Sequence, residues 1–581
     1  MSGKLEQYRA GVIETPATNL AWNLYGEGLE NVGRDGRPLA EAVPEIGPDD
    51  LLARVDACGL CFSDIKVIKQ GGAHPRLFNR DLANDPTVLG HEVAMTVVQV
   101  GENLQGQYKV GDRFVIQADI YYHGVNLAFG YMIKGGLQQF VRLGDEVLRG
   151  DDGCYLIPVK ADMGYAEAAL AEPWACVVRA YRDTRRRALK QGGKAWVVWL
   201  PEASAANVAL GGMDTPTYPG TVVVSNCPEQ LLSALRNLTS IGGIRLVEAP
   251  GTDYDAVAAA NAPDGFDEIF VVGNDVEAIE QLAGHLGKDA VMTILADRPL
   301  ARPASIDVGK VHYAAQQYVA SSPGRPLGGY AHPRPLKLLK DGTCWICGAG
   351  GPMGQMHVQL AVEASDGPRL IVATDIDNER LALLPERFGA AAAKRGCRLV
   401  TLNPKDLGEG FEAELSKLAP DGFDDVVCLV PVPAVIGQCS RFLGKRGVLN
   451  IFAGVPIGTM ADLDLNAVIE KGVRYFGSSG SDIADLKKTL SMAEQGELSP
   501  NMAVAAIGGI EAVKDGLQAV MEARFPGKTV IYPQLTGLPL TALSDLGDVL
   551  PEVAAKLAPG HVWTREAEVA LLENFLGDAR S

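Results

Sequence analysis

The sequence predicts an α/β protein: a β-rich N-terminal domain, then two tandem domains built on doubly wound parallel sheets, the first of them degenerate. Three observations predict it. The texture of the chain changes near Tyr165 from short strands to alternating helices and apolar strands. A pattern within the second texture then runs twice. Finally, a strand, a glycine turn and a helix follow one another in the second copy, and the same turn is blocked in the first.

The first 165 residues are short strands broken by Gly, Pro and Asp, as in EVAMTVVQVGENLQGQYKVGDRFVI, where two β-rich runs flank a polar turn. From Tyr165 the alternation is that of parallel strands with crossover helices. Within it, Phe266 to Ala296 aligns without a gap on Phe423 to Ala453, with 10 of 31 positions identical. At the same offset of 157, Tyr318-Val-Ala-Ser-Ser matches Tyr475-Phe-Gly-Ser-Ser, and an offset of 149 pairs Trp196 with Trp345. Chance likeness between two such domains is the alternative; shared offsets favour tandem duplication. The Pro- and Gly-rich SPGRPLGGYAHPRPLKLLKDG between the copies reads as a linker. The expected organisation is a first catalytic part at 1–185, a degenerate copy at 190–322, a linker at 323–341, a cofactor-binding copy at 342–500, and a return to the catalytic part with a helical tail at 501–581.

In TCWICGAGGPMGQMHVQLAVEA, Gly348, Gly350, Gly351 and Gly354 let the backbone turn sharply and approach a pyrophosphate at a helix N-terminus. The spacing reads as GxGxxxG from Gly348 or as AxGxxG from Ala349. The next strand, LIVATD, ends in Asp375, a carboxylate placed to bond an adenosine ribose and repel a 2′-phosphate, so NAD(H) is expected over NADP. A tight turn without a ligand is the plainer alternative. In the first copy Trp199, Pro201 and Ala205 stand where Gly348, Gly350 and Gly354 do, and Asn226 replaces Asp375. An indole and a pyrrolidine ring fill the volume a pyrophosphate needs.

Upstream lie ACGLCFSDIK, LGHEVAM and LAEPWACVVRAY. Cys61, His91, Glu92 and Glu172 are the donor types of a catalytic zinc that keeps one position open, with either glutamate able to complete the set. Such a zinc polarises an alcohol oxygen. Ser63 is placed to relay the proton and Asp64 to orient His91. Cys58 and Cys61 also form a CxxC pair, but no thioredoxin-like pattern follows it. A net charge of −18 argues against a nucleic-acid-binding surface. No apolar run suggests a signal peptide or membrane span, and 10 cysteines in 581 residues suit a reduced compartment, so a cytoplasmic protein is expected.

Together CGLCFSD, GHE, VGDRF, AEP, the glycine turn with Asp375 and GKTVIY resemble the zinc-containing medium-chain dehydrogenases, which join a GroES-like catalytic domain to a Rossmann domain. Further stretches, HPRLFNRDLANDPTVLGHE, GFDDVVCLVPVPAV and the tail HVWTREAEVALLENFLG, resemble family members that reduce sugar phosphates. The resemblance implies a hydride exchanged between NAD(H) and a polyol, sugar or sugar phosphate, with interconversion of a ketose phosphate and a hexitol phosphate favoured. It also implies nicotinamide contacts near Gly454 and Ser478, Ser479 and Gly480. His74, Arg76 and Arg80 are the candidates for a substrate phosphate; an ordinary solvated basic loop is the alternative.

Two departures stand out. Many relatives hold a structural zinc on four cysteines after the GDR stretch, whereas residues 111–150 contain no cysteine, so one zinc is expected. The extra copy is absent from the ordinary plan. Since family members pair edge strands of two Rossmann sheets when they dimerise, the degenerate copy is expected to act as an internal pseudo-dimer partner, joined edge to edge in one continuous sheet, with further homo-oligomers left open. A catalytically inactive binding or regulatory module is the competing class.

Overall fold

A computed structural model describes residues 2–12, 16–183, 185–203, 217–322, 325–331, 334–478 and 480–576. The chain divides into two compact units: residues 1–179, 351–356 and 480–581 form the first, and 180–350 with 357–479 the second. The expected boundary at 500 therefore falls earlier. The helix Ile483–Glu494 belongs to the first unit, where it packs on the helix Ala171–Arg179 and Arg179 reaches Asp482 at 3.0 Å.

The first unit is organised by an eight-stranded sheet. Its central strand, Leu51–Gly59, pairs antiparallel with Glu92–Val100 on one side and Lys528–Tyr532 on the other. LLARVDACG is buried at every position, so its two polar side chains need internal partners. Arg54 and Asp56 pair at 2.6 Å, Thr96 donates to Asp56 at 2.6 Å, and the Tyr8 ring lies 3.4 Å beneath the Arg54 guanidinium. The C-terminal helix Arg565–Leu576 docks by Glu568, which accepts from the Tyr165 and Ala166 amides at 2.6 and 2.7 Å. It thereby caps the short helix Tyr165–Ala169 that leads into Ala171–Arg179.

The second unit contains two six-stranded parallel sheets with the same connectivity. In the first the order is Arg245–Glu248, Thr221–Ser225, Lys194–Trp199, Phe266–Val272, Leu286–Leu295, Gln317–Ala320. The second runs Arg398–Leu402, Leu370–Thr374, Thr343–Cys347, Phe423–Cys428, Leu443–Ile451, Arg474–Phe476. Numbered along the chain, each is 3-2-1-4-5-6, the doubly wound order of dinucleotide folds. Trp196 and Trp345 are both fully buried, and their indoles donate to the hydroxyls of Ser225 at 3.0 Å and Thr374 at 2.9 Å.

The sheets share an apolar core containing both tryptophans. The edge strands Gln317–Ala320 and Arg474–Phe476 lie beside each other, yet no ladder joins them among the described residues. The continuous sheet expected from sequence is replaced by a separate antiparallel ribbon, Ala304–Asp307 against Met460–Leu463. The stretch read as a linker is packed as well: Tyr330, Leu336 and Leu338 are buried, and Arg334 makes a buried ion pair with Asp425.

Candidate metal centre and cofactor turn

In the first unit the strand Leu51–Gly59 delivers Cys61 to the start of the helix Phe62–Gln70. The Cys61 amide donates to Asp64 Oδ2 at 3.0 Å, which fixes the sulfur at the helix entrance. The other Asp64 oxygen accepts from the Gly90 amide at 3.2 Å and stands 3.4 Å from His91 Nδ1. One carboxylate thus ties the helix to the turn that carries the histidine. Burial opposes a charge on His91, while Asp64 and Cys61 raise its pKa well above the ordinary value. Donor atoms of Cys61, His91 and Glu92 all lie within 4.8 Å of one another.

Glu92 is fully buried at the start of its strand. Lys528 Nζ donates to Glu92 Oε1 at 2.5 Å and to the Leu60 carbonyl at 2.8 Å. Burial works against the lysine's charge, but Glu92 and Cys61 more than offset it and raise its pKa. Glu92 Oε2 has no partner among the described residues. An orphaned carboxylate oxygen beside a thiol and an imidazole suits a borderline-soft cation, and the donor set fits zinc. Glu172, 9% exposed on the helix Ala171–Arg179, lies outside the cluster. Burial pushes its carboxyl up to about 7, with His91 and Lys528 opposing and Glu92 adding to the rise. Ser63 Oγ lies 3.5 Å from Cys61 Sγ.

Beyond His91 stands the Tyr131 ring, 6.0 Å away between centroids. Against the same ring lie His74 at 5.7 Å and the Arg76 guanidinium at 5.1 Å. Arg76 also pairs with Asp119 at 2.7 Å while keeping 41% of its side chain exposed. His74 Nδ1 accepts from the Arg76 amide at 3.2 Å, which leaves the ring's Nε2 to carry the proton. Burial, then Arg76 and Lys66, lower the His74 pKa and keep the ring neutral. Arg80 differs from its two neighbours. Its guanidinium is 6% exposed and donates to the carbonyls of Tyr131, Met132, Asp85 and Pro86 at 3.2, 2.7, 2.9 and 3.1 Å. It staples the loop, and the expected phosphate role does not suit it.

In the second unit the strand Thr343–Cys347 ends in Gly348, whose φ of +85° requires glycine. The Gly350 amide donates to Asp375 Oδ2 at 2.9 Å, and a Cβ at Gly350 would stand 2.9 Å from that carboxylate and from Arg380 Cβ. The turn therefore closes on Asp375 itself, with Ile376 58% exposed beside it. Gly351 has open space around it, and Gly354 falls inside the helix Pro352–Glu363. Ser478 keeps a buried hydroxyl with no partner among the described residues, and Gly454 lies partly buried after the strand Leu443–Ile451. Gly480 adopts φ +66° in the first unit beside Asp119; Ser479 lies outside the described residues.

The blocked counterpart uses the same backbone differently. Trp199 is 6% exposed and packs into the first sheet's own core. Asn226 exchanges two bonds of 2.9 Å with Gly251 instead of holding the turn. Ala205 lies outside the described residues. Sequence reasoning missed Lys528, Tyr131 and Asp119. Lys528 stands in GKTVIY, but its partner is 436 residues away, and no local pattern signals such a pairing.

Two family models match, in the order the site requires: the alcohol dehydrogenase GroES-like domain over residues 47–149 and the zinc-binding dehydrogenase domain over 352–495. The chain belongs to the zinc-dependent medium-chain dehydrogenases. It is an NAD-dependent, zinc-dependent enzyme of that family. Among its relatives, mannitol-1-phosphate 5-dehydrogenase of Aliivibrio fischeri is 24% identical over 544 residues, covering 92% of this chain and 94% of its own. YggP of Escherichia coli, an uncharacterised protein, is 24% identical over 556 residues, 93% and 95% of the two chains. L-sorbose 1-phosphate reductase of Klebsiella pneumoniae is 28% identical over 327 residues, 53% of this chain and 76% of its own. Alignments over more than nine-tenths of this dehydrogenase run through both six-stranded sheets. No helix among the described residues is long and apolar enough to cross a membrane.

Proposed function

We propose that this dehydrogenase interconverts a polyol phosphate and the corresponding ketose phosphate with NAD(H). The observation that carries the reading is the wall formed by His74 and Arg76 against Tyr131, the ring that also stands beside His91. A free polyol offers such a wall only neutral hydroxyl acceptors. A phosphate takes charge-assisted bonds from an exposed guanidinium and an imidazole N–H. The relatives named for mannitol 1-phosphate and L-sorbose 1-phosphate point to the same class.

Cys61, His91 and Glu92 are the residues that would hold zinc, with Glu172 as the carboxylate able to exchange with it. When bound, zinc polarises the substrate's carbinol or carbonyl oxygen and the nicotinamide takes or gives the hydride. Asp64 holds the His91 ring in place. Lys528 offsets the charge of Glu92, so the site is not over-anionic. Ser63 passes the hydroxyl proton outward. Gly348 and Gly350 give the pyrophosphate its backbone approach, Gly351 and Gly354 continue the turn into the helix, and Asp375 receives the ribose hydroxyls once released from Gly350. Gly454 and Ser478 are the second unit's candidates to border the nicotinamide.

Kinetics with hexitol phosphates, free hexitols and cyclitols test the proposal. The expected result is a preference of at least 100-fold in kcat/KM for the phosphorylated substrate. Arg76→Gln should lower it by about 10- to 100-fold, the equivalent of one charge-assisted bond of roughly 1.5–3 kcal/mol. Equal kcat/KM for phosphorylated and free polyols would overturn it.

The first sheet serves, in this reading, as an internal stand-in for a second subunit. Support comes from the ribbon register. Ser305 pairs with Asp462, its own counterpart at the offset of 157, and Ala304 with Leu463 as Ile306 with Ala461. Residues that exchange roles across a two-fold axis are the mark of an isologous interface. One cofactor per chain is expected, since Trp199, Pro201 and Ala205 replace in the first sheet the glycines that the turn at Gly348 keeps.

A further inference from the structure

Cys347, Cys428 and Cys439 bring three sulfur atoms within 4.8 Å of one another in the second unit. Cys347 and Cys428 are the last residues of neighbouring parallel strands and stand in register, while Cys439 reaches them from the covering helix Pro433–Arg441. All three are buried, at 7%, 0% and 0% exposure. None takes part in the dehydrogenase chemistry.

The first sheet shows what this place in the fold requires. Its residues at the matching positions are Val198, Val271 and Leu282, all buried, with Val198 and Val271 in the same register. Aliphatic packing therefore satisfies the architecture. Three substitutions by the same soft donor, converging on one point, exceed what packing asks for. Three sulfurs around one centre at about 2.3 Å stand roughly 4 Å apart in a plane and roughly 3.4 Å in a pyramid, so closing on a centre needs shifts below about 1 Å per atom.

The donor set narrows the ligand. No imidazole or carboxylate joins the three sulfurs among the described residues, whereas a closed zinc site takes four ligands. Hydrogen bonding to Cys428, with burial, raises the Cys347 pKa, and burial first raises that of Cys439; no cationic side chain figures among the groups acting on either. A monovalent or divalent ion with three thiolates would leave a net negative charge in this apolar core, at a penalty of several kcal/mol. A trivalent centre leaves none. Arsenous acid condenses with three thiols to a neutral, pyramidal tris-thiolate: three As–S bonds form, three As–O bonds break, and three waters leave. No oxidant or reductant is needed. We propose that Cys347, Cys428 and Cys439 form a binding site for a trivalent metalloid, arsenic or antimony.

Arsenite is the probe. The zinc-loaded, reduced full chain is incubated with it for hours, to allow transient opening of the covering helix, then gel-filtered and assayed for arsenic. One arsenic per chain is expected, against less than a tenth in Cys428→Val or Cys439→Leu, with zinc content and NADH binding unchanged. These variants install the first sheet's own residues, so the fold should tolerate them. X-ray absorption on the parent protein decides independently, should a variant not fold: three sulfur neighbours are expected around arsenic. No retained arsenic, equal retention in both variants, or two sulfurs and an oxygen as neighbours (the signature of the Cys58–Cys61 pair) would overturn the proposal.

Discussion

Replacing Lys528 with methionine tests the electrostatic design of the metal centre. The ammonium is buried and donates to Glu92 Oε1 at 2.5 Å, while Glu92 is 0% exposed and its second oxygen has no partner among the described residues. Removing the lysine from metal-free protein strands a buried carboxylate. Breaking a buried pair in this way costs about 3–5 kcal/mol. Zinc supplies the missing positive charge, so metal-loaded Lys528→Met should lose far less, and its zinc affinity relative to the parent should rise. The double variant Lys528→Met with Glu92→Gln should recover most of the metal-free stability, because no charge is then left unpaired. Hydrogen exchange in the strands Lys528–Tyr532 and Glu92–Val100 reports this locally and avoids treating a two-unit protein as a two-state unfolder. Metal-free Lys528→Met should exchange there roughly 100- to 4,000-fold faster than the parent, the equivalent of that cost. Equal acceleration with and without zinc, or no recovery in the double variant, would refute the compensation argument.

Cys61→Ser should abolish zinc binding and turnover while leaving the NADH dissociation constant within about twofold; elemental analysis and fluorescence titration check both halves. Asp375→Ser combined with Ile376→Arg should shift the NAD-to-NADP ratio of kcat/KM toward NADP by at least tenfold, since the carboxylate that repels a 2′-phosphate is gone and a cation stands in its place. His357 is fully buried 2.6 Å from the Tyr181 hydroxyl, and burial lowers its pKa to about 3. Its unfolded value lies near 6.5, so between those limits the unfolded chain binds the extra proton and stability falls as pH drops. From pH 7 to 4 this group should contribute roughly 3 kcal/mol of loss, and His357→Gln, which keeps an acceptor for Tyr181, should remove that share in acid-unfolding curves.

What the sequence made legible is what short motifs encode. Cys61 and the Gly90-His91-Glu92 run lie on elements whose ends the local pattern announces, and the glycine turn with Asp375 is bounded by a strand and a helix. The placement of Asp64 beside His91 was readable because both residues belong to those motifs. Lys528 was not, since a lysine opening an apolar strand reads as an edge charge until the fold brings Glu92 to it. Arg76 and Arg80 are indistinguishable in sequence, two arginines of one loop. Only the fold shows that carbonyl groups saturate Arg80 while Arg76 keeps an exposed face. The stretch 323–341 misled for a related reason: Pro and Gly mark a break in regular structure, not exposure, and Arg334 anchors the segment on Asp425.

The expected continuous sheet failed in an instructive way. Pairing edge strands would have used the backbone of Gln317–Ala320 and Arg474–Phe476, yet those strands lie side by side without a ladder. The union is made instead by Ala304–Asp307 and Met460–Leu463, where Ala304, Ile306, Ala461 and Leu463 are all buried. A ribbon of this kind needs apolar residues in alternation and a short free backbone, and none of the glycines of a cofactor turn. It extends on one side by the Val308 amide donating to the Thr459 carbonyl at 2.9 Å, and the Asp307 carboxylate accepts from the Gly458 amide at 2.9 Å. These demands fall on a segment about a hundred residues along the chain from Trp199 and Pro201. The ribbon therefore places no demand on the residues at which the two turns differ. A sheet without those glycines can still hold its neighbour, which is the condition that the proposed internal interface sets.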